Sequence, residues 1–99
     1  MSEKIVTVVA TFEARPGQEA ALRIALIGLV GPTRMEAGCI NYDLHQSSEH
    51  PQKFLFFENW TSKPLLDAHL LSAHIKALLP QIDQLCVAPP EITLWGKIA

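Results

Sequence analysis

The stretch from Phe54 to Trp60 reads Phe-Leu-Phe-Phe-Glu-Asn-Trp, and it is apolar on both of its alternating faces. Successive strand residues point to opposite sides, so Phe54 and Phe56 share one side and Leu55 and Phe57 the other. The stretch Ile5 to Phe12 repeats the pattern, with Ile5 and Val9 opposing Val6, Val8 and Phe12. A sheet built from such strands has to be covered on both sides. Leaving several large side chains wet forfeits roughly 1.5–3 kcal/mol each.

The remaining segments decide what can do the covering. Arg15-Pro16-Gly17 ends the first strand, and Leu22, Ala25, Leu26, Leu29 and Val30 then recur at the spacing of one helix face. Gly31-Pro32 is expected to kink or stop that helix, because Pro32 lacks an N–H and its ring crowds the turn behind it. Thr33 to Glu36 can add a turn before Gly38. Ile40, Tyr42 and Leu44 alternate with Asn41, Asp43 and His45, which marks a half-buried strand. The polar turn Ser47–Gln52 joins it to Phe54–Trp60 as a hairpin. Thr61 or Ser62 can cap a second helical region, with Pro64 in its first turn. Leu66, His69, Leu70 and Ala73 keep helical spacing there, Ser72 can restart the helix, and Pro80 is expected to perturb it. Ile92 to Ile98 reads as a last strand.

The order is therefore βαββαβ with a split second helix, an α+β ferredoxin-like sandwich of an antiparallel four-stranded sheet and helices on one face. At 99 residues the chain makes one domain over residues 1–99. It has no spare segment for the second sheet face. A homodimer formed through the open face is the expected cover, each patch meeting its own twin.

Composition narrows the partners. Eight basic against ten acidic residues give a net charge of −2, and no basic cluster exists to neutralise phosphates, so neither nucleic acid nor an anionic membrane is expected. The start Met1-Ser2-Glu3-Lys4 runs straight into a β-like segment, without the pattern of a signal peptide, and no apolar run is long enough to span a bilayer. A cytoplasmic protein with reduced thiols is expected. Cys39 and Cys86 are the only cysteines, too few for a structural zinc site, and Cys39 suits a small buried hydrophobe better than a nucleophile.

Candidate chemistry is confined to a few polar residues in apolar surroundings. His69, between Leu66 and Leu70 in a helical stripe, is either a buried histidine satisfied by one hydrogen bond or a general base. His74 follows five residues later, about 500° around a continuous helix, so the two rings should point apart. Only a break near Leu71-Ser72 could bring them together, and no metal site is expected. Glu58 is a carboxylate in an apolar strand, which demands a partner or a raised pKa. Trp60 shares its face and can be core or pocket wall, Asn59 faces the other way, and Tyr42 can pack or donate a hydrogen bond. His45 and His50 belong to the polar hairpin region. No phosphate-cradling glycine loop, nucleophile elbow or nucleotide fingerprint is present.

Arg15-Pro16-Gly17-Gln18, Glu36-Ala37-Gly38-Cys39-Ile40-Asn41-Tyr42, Phe57-Glu58-Asn59-Trp60, Leu66-Asp67-Ala68-His69-Leu70 and Ser72-Ala73-His74, taken in order, resemble the antibiotic biosynthesis monooxygenase family. The likeness is greatest to its small bacterial quinol monooxygenases. It implies a dimeric α/β barrel of ferredoxin-like chains that oxygenate quinols or anthrones without metal, flavin or other cofactor. The family also holds members acting on a quorum-sensing sugar phosphate and haem-degrading members. The haem branch uses a first-strand Asn and a helical Trp where this chain has Ala10 and His69, so no haem triad can be assembled.

Three functions follow as alternatives. In the first, a cofactor-independent monooxygenase acts on a quinol, anthrone or similar electron-rich aromatic: His69 removes a proton, Glu58 or Asn59 holds the base or substrate, and Trp60, Tyr42 and His74 help form the substrate site. In the second, an isomerase acts on a small metabolite, with Arg23, Arg34, Lys63 and Lys76 as the cations near enough to meet a phosphate. In the third, the chain is a non-catalytic dimeric binding or stress-response module.

Overall fold

The computed structural model describes residues 4–99, so the Met1–Glu3 start, on which the reading of no signal peptide leans, lies outside the described residues. Strand β1 (Val6–Glu13) leads into helix α1 (Glu19–Arg34), then β2 (Cys39–Gln46), β3 (Lys53–Trp60), α2 (Lys63–Leu70), α3 (Ala73–Leu85) and β4 (Glu91–Trp95). The sheet order is β2-β3-β1-β4, antiparallel throughout. This is the ferredoxin-like α+β arrangement expected from the element order, with the second helix split. The four-stranded sheet of one chain is open, not closed into a barrel.

Strand parity sets the core. Val8, Ala10 and Phe12 of β1, Tyr42 of β2, and Phe54, Phe56 and Trp60 of β3 are buried on the side that carries the helices. Helix α1 packs there through Leu22, Leu26, Leu29 and Thr33, spaced four, three and four apart as one helix stripe requires. Helix α2 is capped by Ser62, whose hydroxyl accepts from the Leu65 N–H, and α3 by Ser72, whose hydroxyl accepts from the Ile75 N–H. Leu78, Ile82 and Leu85 complete the core from α3.

Three expectations need correction. Helix α1 is not stopped at Gly31-Pro32 but runs on to Arg34; α3 likewise holds Pro80 within its length. Both prolines are exposed, so the carbonyl each leaves without a helical donor can turn to water. The last strand ends at Trp95 instead of Ile98, which is fully exposed. The open face, finally, is only partly apolar. Ile5, Phe57 and Trp95 are exposed large apolar side chains, but Thr7, Asn59, Asn41 and Asp43 form a polar row beside them. In that row the Thr7 hydroxyl donates to Asn59 Oδ1 at 2.6 Å, Asn59 Nδ2 donates to Asn41 Oδ1 at 2.8 Å, and Asn41 Nδ2 donates to Asp43 Oδ2 at 3.0 Å. Among the described residues, no helix is long and apolar enough to cross a membrane.

Candidate active site

The break between α2 and α3 is where the site begins. His69 sits in the last turn of α2, and Ser72 is extended, with φ −67° and ψ 158°. That residue resets the helical phase, so His74 does not fall where five residues of continuous helix would put it. The His69 and His74 rings come to 6.0 Å between centroids. Both reach the same atom: Glu36 Oε2 lies 2.7 Å from His69 Nδ1 and 2.7 Å from His74 Nε2.

Glu36 is placed by the turn between α1 and β2. Its N–H donates to the Thr33 carbonyl at 3.0 Å, and two residues later Gly38 takes φ +87°, a conformation in which a side chain is strained. A Cβ at Gly38 would lie 2.5 Å from Leu65 Cδ1, so the turn also packs tightly on α2. The Glu36 carboxylate can only accept when ionised, which assigns a proton to Nδ1 of His69 and leaves Nε2 as the basic nitrogen.

The sheet supplies the other half. Glu58 of β3 stands between Val8 of β1 and Tyr42 of β2 in register, and is only 3% exposed. Trp60 Nε1 donates to Glu58 Oε1 at 2.9 Å. Burial nonetheless pushes the Glu58 carboxyl up to about 7, with the Trp60 hydrogen bond opposing the rise and the Glu36 charge adding to it. The His69 imidazole is shifted down by burial, against the pull of Glu36, so its neutral form is favoured. The Tyr42 phenol is driven far above its usual range by burial and then by Glu58, which keeps it protonated.

A cavity of about 160 Å³ lies between the sheet and the α2–α3 pair. Its wall is mostly apolar, with Phe56, Leu66, Leu78 and Ile82 among the contributors, and its polar residues are Glu58, His69 and Tyr42. Tyr42 stacks on Phe56 at 4.3 Å and meets the His69 ring edge-on at 5.4 Å. A larger hollow of about 440 Å³ lies against Val87–Pro89, and neither the histidines nor Glu58 line it. The chemistry favours the smaller cavity, because that is where groups able to move protons face an apolar space.

The expected site residues are thus partly gathered. His69, Glu58 and Tyr42 share the cavity wall. Trp60 is fully buried behind it, its ring 4.7 Å from His69. His74 joins through Glu36 and does not line the cavity, and Asn59 lies on the opposite sheet face, bonded to Thr7 and Asn41. None of Arg23, Arg34, Lys63 and Lys76 lines the cavity; Arg34 pairs with Asp43 and Lys63 with Asp67 on the surface. Glu36 is the residue that sequence reasoning did not assign a role. Its partners are 33 and 38 positions away, and no local periodicity marks a contact of that range.

Comparison with known proteins places this geometry. A family profile described as "Antibiotic biosynthesis monooxygenase" matches residues 5–81. A protein of Mycobacterium tuberculosis named "Putative monooxygenase Rv0793" is 37% identical over 93 residues, covering 94% of this chain and 91% of its own. The crystal structure of PA3566 from Pseudomonas aeruginosa superposes with a TM-score of 0.94 at 31% identity, over 100% of this chain and 99% of that one. The structure of Rv0793 gives a TM-score of 0.90 at 33% identity over 97% of both chains.

Proposed function

Because this chain belongs to the antibiotic biosynthesis monooxygenase family, we propose that it oxygenates a quinol, anthrone or similar electron-rich aromatic, using His69 as base and no redox cofactor. The observation that carries the reading is the Glu36–His69 pair: a neutral imidazole, its Nδ1 tied at 2.7 Å to a carboxylate, set in the wall of an apolar cavity.

The chemistry asks little more of the protein. Dioxygen reacts poorly with a neutral closed-shell aromatic, and removal of a proton makes the substrate a far better electron donor. Nε2 of His69 takes that proton. The carbanion or phenolate gives one electron to dioxygen and the radical pair forms a C–O bond, yielding a peroxide. Loss of the second hydrogen from carbon with cleavage of the O–O bond leaves one oxygen on the substrate and releases the other as water. For a CH₂ becoming C=O, or an aromatic C–H of a quinol becoming a hydroxyquinone, the substrate supplies all four electrons that dioxygen accepts. No further reductant is required.

Tyr42, held protonated, can donate a hydrogen bond to the developing oxyanion. Glu58, poised near 7, can give a proton to the departing oxygen. Apolar walls keep water from competing for the anion. The working unit in this reading is a homodimer, in which a second copy covers Ile5, Phe57 and Trp95 on the open sheet face.

Oxygen uptake with menadiol and with an anthrone tests the reading. Wild-type protein should accelerate uptake and His69→Ala should lose about 10²–10⁴-fold of that acceleration. Uptake across the substrate panel that is independent of the protein would overturn it.

A further inference from the structure

Glu36, His69 and His74 each offer one metal-ligating atom within 4.8 Å of the other two, and Glu36 Oε2 lies 2.7 Å from both His69 Nδ1 and His74 Nε2. We propose that these three residues form a binding site for a divalent first-row transition ion of the zinc type. Two imidazole nitrogens and a carboxylate oxygen are the donor set such ions prefer, and three protein ligands leave a fourth position for water or another donor.

The two contacts to Glu36 need only a small adjustment. Donors about 2.1 Å from a tetrahedral ion stand about 3.4 Å apart, so each 2.7 Å contact to Glu36 must open by about 0.7 Å. Glu36 sits on the turn after α1, not within a helix, and is 18% exposed, while His74 is 21% exposed. The rim of the site is therefore reachable from solvent. His69 is the fixed member, 2% exposed and packed against Trp60 and Tyr42.

Occupancy has a chemical consequence, and this clause alone rests on the proposed function. An ion on Nδ1 displaces the ring proton to Nε2, turning the basic nitrogen into a donor. The metal-bound form and the base-competent form of His69 exclude one another, so zinc would act as an inhibitor.

Cobalt(II) absorption, zinc competition and ring-nitrogen NMR of histidine-labelled protein test the site. The expected result is one ion per chain, a visible cobalt spectrum abolished by equimolar zinc, and ring shifts at His69 and His74. His74→Ala should weaken binding by at least about ten-fold, while a His45→Ala/His50→Ala protein should bind as wild type does. Wild-type protein that takes up no cobalt or zinc, or whose shifts are confined to His45 and His50, would overturn the proposal. Those NMR arms need no variant to fold. Zinc should also suppress oxygen uptake in step with occupancy. If the protein shows no uptake at all, the oxygenase reading fails while the metal measurement still stands.

Discussion

Glu36 accepts a hydrogen bond from His69 Nδ1 at 2.7 Å across 33 positions of chain, joining the end of the first helix to the end of the second. The bond does for this imidazole what a buried carboxylate does in many base-catalysed sites: it selects the tautomer and holds the ring.

Glu36→Gln should therefore lower kcat by about 10²-fold, within the range general-base catalysis contributes, with a much smaller change in KM. A glutamine amide can donate to Nδ1 as readily as accept from it, so the ring is no longer committed to a basic Nε2. Steady-state oxygen-uptake kinetics would show it. An unchanged kcat would remove Glu36 from the mechanism.

Glu58 should make stability depend on pH in the acid-stable direction. Its folded value of about 7 lies above its ordinary 4.5, so the folded chain binds the extra proton between those values. The stabilisation is fully present below about pH 4.5 and lost as pH rises to about 7, a difference of roughly 3 kcal/mol. The groups facing Glu58 are Trp60, Tyr42 and, through its charge, Glu36. Glu58→Gln keeps an oxygen for the Trp60 N–H while removing the titration. Urea unfolding at pH 5 and pH 8 should show the wild-type slope and its loss in the variant; equal slopes would contradict the assignment.

Gly38→Ala should cost about 1–3 kcal/mol. The new methyl meets Leu65 Cδ1 at 2.5 Å and Leu65 Cβ at 2.8 Å, at a backbone φ of +87°. Because Gly38 ends the turn that carries Glu36, the variant should lose activity beyond what its melting temperature explains. A variant with wild-type melting and turnover would show that the turn can relax at no cost.

Phe57→Asp should shift the protein from dimer to monomer. Phe57 is 41% exposed on the open face, and a charge there would have to be desolvated against its own twin or a neighbour. Sedimentation over a range of concentrations should show a wild-type dimer whose apparent stability rises with concentration. A wild-type monomer near 11 kDa at micromolar concentration would remove the dimer from the proposal.

Asn59 carries a related expectation. It bonds to Thr7 and Asn41 on the open face, so Asn59→Ala should act on stability or assembly and leave KM for the aromatic substrate unchanged. A selective rise in KM would return Asn59 to the substrate site.

The amino-acid sequence by itself determined the element order, the alternation of side chains along each strand and where the split helix could begin and restart. Those depend on periods of two and of about 3.6 and on neighbours within a turn. Phe54 and Phe56 could be set on one side of their strand and Leu55 and Phe57 on the other, and a helix start placed at Thr61 or Ser62 and another at Ser72, without knowing any distant contact. It also showed Glu58 to be out of place in an apolar strand. The tertiary structure alone decided which face of β3 meets the cavity, that Pro32 and Pro80 are tolerated because they face solvent, and that His69 and His74 meet. The helix break at Ser72 brings the rings together, and Glu36, carried from 33 positions away by the α1–β2 turn packed against α2, bridges them. Local periodicity fixes direction around an element; only packing between elements fixes what stands opposite.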